Sequence, residues 1–121
     1  MDLPSDTIPH LVAAYGSRYK QVLALCEGQP DLASRLAEGS PVVGAELVWA
    51  VRQEMAVTLA DAIVRRTPLG ALGYPGDIAV DRAADLVAGM LGWSHDRRRS
   101  EVAALRRFYS AIFALAKPSL S

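Results

Sequence analysis

In the stretch EMAVTLADAIVRRT, Glu54, Thr58, Asp61 and Arg65 follow one another at intervals of four, three and four residues. On an α-helix those intervals stack side chains in single file along one edge. Two carboxyls, a hydroxyl and a guanidinium in a file can pair among themselves on a solvated edge, or find partners on another surface. An Asp–Arg pair at i,i+4 adds only about 0.2–0.5 kcal/mol, so local stability is weak motivation for the arrangement. The alternative is a docking edge, where each desolvated charge must be matched by its partner, and periodicity alone does not decide between the two. Arg66 follows directly. Cations at a helix end also suit the helix dipole.

The element carrying this file is the longest helical pattern in the chain, from about Val43 to Thr67, free of Gly and Pro between Ala45 and Thr67. Val48, Met55, Leu59, Ala62 and Ile63 fall on one broad face, and Trp49, Ala56, Val57, Ala60 and Val64 extend it nearly all round. A helix apolar on almost every side is central in its domain, so residues 43–67 are expected to form a spine. Around it the pattern gives a helix from Ile8 to Tyr15 stopped at Gly16, and a second, capped by Ser17, that carries Tyr19, Val22, Leu23 and Cys26. Two turns follow over Asp31–Ala37. Pro68 and LGALGYPG then lead to a helix starting at Asp77 with Ala79, Ala83, Leu86, Val87, Met90 and Leu91 inward. Gly92-Trp93 ends it. Ser94 caps a last helix burying Val102, Leu105, Phe108, Tyr109, Ile112 and Phe113, stopped by Pro118. The expected architecture is all-α, a compact bundle of five to six helices.

Composition agrees with that class. Helix formers dominate, β-branched residues never alternate for long, and 121 residues suffice for one core without staples. Thirteen basic residues balance thirteen acidic ones, which gives no general field for nucleic acid. One cysteine, Cys26, allows no disulfide framework and reads as a small buried apolar residue. Residues 1–10 lack the basic start and apolar run of a signal peptide, and no apolar run approaches a membrane span, so a cytoplasmic location is expected.

The usual catalytic motifs are absent. No GxGxxG lies between strand and helix, no GxxxxGK[ST] phosphate loop occurs, and no GxSxG elbow is present. His10 and His95 are far from Cys26 in sequence, so zinc spacing is missing. HDRRRS at residues 95–100 reads as a solvated first helical turn rather than a nucleic-acid patch, since no aromatic residues interleave with its arginines. No catalytic, cofactor or metal residue is expected on this chain.

Three stretches in order, HLVAAYGSRYKQVLALCEGQPDLASRLAEGSP, GAELVWAVRQEMAVTLADAIVRRT and AADLVAGMLGWSHDRRRSEVAALRRFY, carry a resemblance over about residues 10 to 110. The chain resembles the C-terminal helical domain of the FAD-dependent glycerol-3-phosphate dehydrogenases and the related alpha-glycerophosphate oxidases. The signature lies in Tyr15-Gly16-Ser17, Ala45-Glu46, Arg52 with Glu54-Met55-Ala56, Asp61 with Arg65-Arg66-Thr67, and Leu91-Gly92-Trp93. Gln53 stands where histidine is expected, and Pro68 where a basic residue is common.

The resemblance implies residues 1–9 as a linker or the end of an upstream flavoprotein portion, and 10–117 as a non-catalytic cap. That upstream portion would hold FAD and oxidise glycerol 3-phosphate to dihydroxyacetone phosphate, with electrons passed to quinone or oxygen. The parent enzyme would be peripheral on the inner face of the cytoplasmic membrane, and a homodimer is possible. The cap would dock through Glu54, Thr58, Asp61, Arg65 and Arg66; the two arginines would suit a phosphate-bearing substrate. The alternative is a stand-alone helical protein-interaction module using the same edge.

Overall fold

The computed structural model describes residues 3–37, 39–65 and 74–116, with the side chains of Arg65 and of 113–116 excepted. The docking residue Arg66, the helix stops Pro68 and Pro118 and the inward Phe113 side chain all lie outside the described residues. Within them the fold is all-α. Five α-helices are present: α1 (Thr7–Tyr15), α2 (Tyr19–Gly28), α3 (Gly44–Gln53), α4 (Asp77–Leu91) and α5 (His95–Ala116).

Helix ends follow local chemistry. Gly16 and Gly92 close α1 and α4 at positive φ, 57° and 68°, where a Cβ would be strained, and Gly92 takes the left-handed helical conformation. The Ser94 hydroxyl accepts the Arg97 N–H at 3.1 Å and so caps α5. Ser17 does not cap α2; it sits inside a short 3-10 turn, Gly16–Arg18, that runs directly into that helix. The two turns expected over Asp31–Ala37 shrink to a 3-10 turn, Pro30–Ala33, because the chain then extends. Arg35 pairs with Val43 in a single antiparallel bridge, held by the Leu36 N–H to the Val42 carbonyl at 3.1 Å. Leu32 and Leu36 are buried as expected.

The core has two lobes sharing α3. One gathers Leu11, Val22, Cys26, Leu32, Val43, Val48 and Trp49 between α1, α2 and α3. The other gathers Leu47, Leu59, Ile63, Val80, Val87, Val102 and Leu105 between α3, α4, α5 and the segment after α3. Every residue from Val42 to Ala50 is buried, which explains the nearly all-round apolar character of that stretch. Contact is close at its start: a Cβ on Gly44 would lie 3.2 Å from Leu86 and 3.3 Å from Leu32.

The expected spine over residues 43–67 is not one helix. α3 ends at Gln53, and a second helical piece resumes only after Thr58, with a wide π turn at Asp61–Arg65. α5 also departs from expectation, since Phe108 and Ile112 are exposed while Val102 and Leu105 are buried. Length accounts for this. α5 has 22 residues against 15 in α4, roughly 33 Å against 22 Å at 1.5 Å per residue. Ion pairs Arg98–Asp85 at 2.8 Å and Arg106–Asp77 at 3.1 Å run the two helices antiparallel, and the turns beyond Arg106 overhang the start of α4.

Candidate functional site

The break after α3 is where the file of polar residues was expected to continue. Glu54 and Ala56 both donate their backbone N–H to the carbonyl of Ala50, at 3.2 and 3.0 Å. Between them Met55 adopts φ 59°, the left-handed region that favours glycine. Holding a methionine there costs on the order of 1 kcal/mol or more, so its neighbours must impose it. Ala56 and Leu59, which follow the turn, do so by seating in the core. Met55 and Val57 are turned outward, 81% and 57% exposed, where Met55 was expected to lie on the core face.

The next helical piece starts with its own cap. Thr58 Oγ1 accepts the Asp61 N–H at 3.0 Å, and Glu101 Oε1, reaching over from α5, accepts the Leu59 N–H at 2.9 Å. A carboxylate at a helix start is favoured by the free N–H groups and the dipole. Glu101 is held in turn by Arg97 Nε at 3.0 Å, and the Arg97 guanidinium lies 5.2 Å from the centre of the Trp93 ring. HDRRRS therefore does more than coat a solvated turn: Arg97 braces this cap, and Arg98 ties α5 to Asp81 and Asp85 of α4.

The four expected file members are thus distributed over two elements. Glu54 ends α3, Thr58 caps the following piece, Asp61 lies in its first turn, and the Arg65 backbone closes the π turn. Glu54, Thr58 and Asp61 are each half-buried. Thr58 spends its hydroxyl internally. Glu54 Oε1 is different: it is sealed from solvent and has no hydrogen-bond partner among the described residues.

A second polar cluster, absent from the expected docking set, sits behind this turn. Glu46 is wholly buried, yet both its oxygens are served. Oε1 accepts from His10 Nε2 at 2.8 Å and from the Tyr15 hydroxyl at 3.0 Å, while Oε2 accepts the Val43 N–H at 2.8 Å. The last bond caps α3 from within. Tyr15 also meets Trp49 edge to face, with centroids 6.2 Å apart. Burial first, then the charges of Glu46 and Glu54, push the Tyr15 phenol well above the ordinary tyrosine range, so it stays a donor. A His–Glu–Tyr constellation resembles acid–base machinery in kind. However, the groove between α2, α3 and α4 and the two troughs beside Arg35 and Arg82 are lined by other residues. The cluster instead locks α1 onto α3. The sequence signal for it was slight: Tyr15 and Glu46 are signature positions, but His10 lies 36 residues from Glu46.

Among the described residues no group of three or more His, Cys, Asp or Glu side chains could hold a metal ion, and no helix is long and apolar enough to cross a membrane. At the turn two apolar side chains, Met55 and Val57, project into solvent beside a shielded Glu54 oxygen that has no hydrogen-bond partner among the described residues.

Comparison with known proteins bears on this geometry. A family profile described as the C-terminal domain of alpha-glycerophosphate oxidase matches residues 1–98. The chain is 34% identical over 102 residues to a probable mitochondrial glycerol-3-phosphate dehydrogenase of Dictyostelium discoideum, covering 84% of this chain and 16% of the relative. Against a glycerol-3-phosphate dehydrogenase of Synechocystis the identity is 33% over 96 residues, covering 78% and 17%. Against one of Mycobacterium leprae it is 33% over 114 residues, covering 92% and 19%. The chain therefore spans less than a fifth of the length of these relatives. No solved structure matches it.

Proposed function

Because the chain belongs to the family of C-terminal domains of alpha-glycerophosphate oxidase, we propose that it is the non-catalytic cap of an FAD-dependent glycerol-3-phosphate dehydrogenase. The remainder of such an enzyme holds the flavin, oxidises sn-glycerol 3-phosphate to dihydroxyacetone phosphate and passes the electrons to quinone. The cap docks on that remainder through the edge running from Glu54 to Arg66.

One observation carries the docking reading: the Met55 turn. A non-glycine residue held in left-handed backbone, with a thioether pushed into solvent, is costly for the isolated domain. Methionine is adaptable and polarisable, which suits it to an apolar recess on another surface. Beside it, Glu54 Oε1 has no donor among the described residues, and a docked partner would supply one. Asp61 and Arg65 follow on the same segment, and Arg66 is next in sequence.

The test is a chimera. In the Mycobacterium leprae relative, the matched stretch is exchanged for this chain, and glycerol-3-phosphate-dependent dye reduction is measured. The chimera is expected to be active and to retain flavin. Met55→Asp within it is expected to weaken docking by about 2 kcal/mol, the scale of a central anchor, and to lower activity accordingly. Unchanged activity in the Met55→Asp chimera would sink the docking reading, and tight flavin binding by the isolated chain would sink the division of labour.

A further inference from the structure

The Met55 turn is too small to hold a cap in place by itself. Interfaces between domains of one chain cover about 600–1,500 Å², and the turn projects two large apolar side chains, Met55 and Val57. Docking there calls for further apolar surface nearby, free of charges that a partner would have to match.

The helices differ in what they show to solvent. α2 exposes Lys20, Gln21 and Glu27, and α4 exposes Asp77, Asp81, Arg82 and Asp85, as solvated helices do. α1, TIPHLVAAY, is the one α-helix among the described residues without Asp, Glu, Lys or Arg. Thr7 and Leu11 turn into the core, and His10 is bound to Glu46. What remains outside is Ile8, Pro9, Val12, Ala13 and Ala14, all exposed. A helix side that carries only apolar groups into water marks an interaction surface.

Position ties this side to the turn. Ile8, Val12 and Tyr15 follow at intervals of four and three residues, which aligns them along α1. The Tyr15 ring meets Trp49 of α3, five residues before Glu54, and the Glu54 charge acts on the Tyr15 phenol. The stripe therefore ends beside the Met55 turn. The other exposed apolar groups, Ile78 of α4 with Phe108 and Ile112 of α5, stand among Asp77, Asp81 and Arg106, all exposed and charged.

The order of the chain names the occupant. In a C-terminal domain the rest of the polypeptide precedes the domain, so it joins on the side of α1, the first helix. The relatives carry more than four-fifths of their length outside the matched stretch. We propose that the outer side of α1, centred on Ile8 and Val12, is a second docking face, covered by an uncharged apolar surface of the portion that precedes the cap. This rests on the cap reading and adds a face to it that does not depend on Met55.

The experiment is carbene photolabelling with a small water-soluble diazirine, read by peptide mass spectrometry, on the 121-residue chain and on the flavin-loaded chimera. Ile8 and Val12 should label freely in the isolated chain and about tenfold less in the chimera, as a docking constant of one decade gives. Ile8→Glu places an acid in the first turn of α1, where the dipole favours it, so the urea midpoint of the isolated chain should not fall. In the chimera the same change should restore Val12 labelling about tenfold, since it sets an unmatched charge in the interface. Equal labelling of Ile8 and Val12 in both proteins, with Met55 and Val57 protected in the chimera, would overturn this proposal and leave the cap reading standing. Absence of protection at both faces would overturn the two together. Protection that grows with the concentration of the isolated chain would assign α1 to a second copy and overturn the proposal, as would unchanged Val12 labelling in the Ile8→Glu chimera.

Discussion

Glu46 and Glu54 stand eight residues apart at the two ends of α3, and their surroundings are opposite. Glu46 is wholly buried and meets a ring nitrogen, a phenol and a backbone N–H. Glu54 is half-buried, and one of its oxygens is shielded without a donor among the described residues. Beside the second, Met55 is strained and 81% exposed. A fully matched buried carboxylate fixes one arrangement of its neighbours, because any loss leaves a charge or a donor stranded. An unmatched one beside projecting apolar groups stabilises nothing in the chain itself. The first region holds the fold together, and the second is where the proposed docking on a neighbour would act.

That contrast can be broken by mutation. Glu46→Ala strands His10, Tyr15 and the start of α3 together, and is expected to cost about 3–5 kcal/mol in urea unfolding; a loss below about 1 kcal/mol would remove the structural role assigned to the cluster. Leu59→Ala, in the lobe under the Met55 turn, should cost about 2–5 kcal/mol whether or not the cap is docked, because Leu59 is buried within the chain. Thr58→Ala should cost about 1 kcal/mol and accelerate amide exchange over residues 59–65, since it removes only a cap.

Tyr15 gives a pH signature. Its folded proton affinity is raised, so the stability it contributes is complete below the unfolded tyrosine value of about 10 and is lost as pH climbs above it. Urea midpoints of the native chain should therefore fall above about pH 10, and Tyr15→Phe should flatten that fall. The smallest effect has the opposite sign. Glu54→Gln removes an unmatched charge and should leave the isolated chain unchanged or stabilise it by up to about 1 kcal/mol, while weakening the chimera. Destabilisation of the isolated chain by Glu54→Gln, on the scale of Glu46→Ala, would erase the distinction between the two regions.

Much of this fold was legible from local chemistry. Gly16, Gly92 and Ser94 mark helix ends through backbone freedom and hydroxyl capping, which act within a few residues. The all-round apolar stretch at Val42–Ala50 is buried between two lobes, as its pattern requires. The break after Gln53 was harder to see, because no glycine or proline marks it; a methionine takes the left-handed position under pressure from Ala56 and Leu59 in the core. One signal was available. Thr58 followed three residues later by Asp61 is the pattern of a helix start, and it was hidden by reading the same residues as a continuous file. The partners of Glu46 and Leu59 come from α1 and α5, so only tertiary packing could bring them together.

Cys26 gives the molecule a built-in reporter. Its thiol is sealed in the lobe between α1, α2 and α3, and burial raises its proton affinity, so little reactive thiolate is available while that lobe is closed. Alkylation at this single site would therefore time the breathing of one lobe, and comparing rates with and without a docked flavoprotein would tell whether engagement at the Met55 edge is felt on the far side of α3.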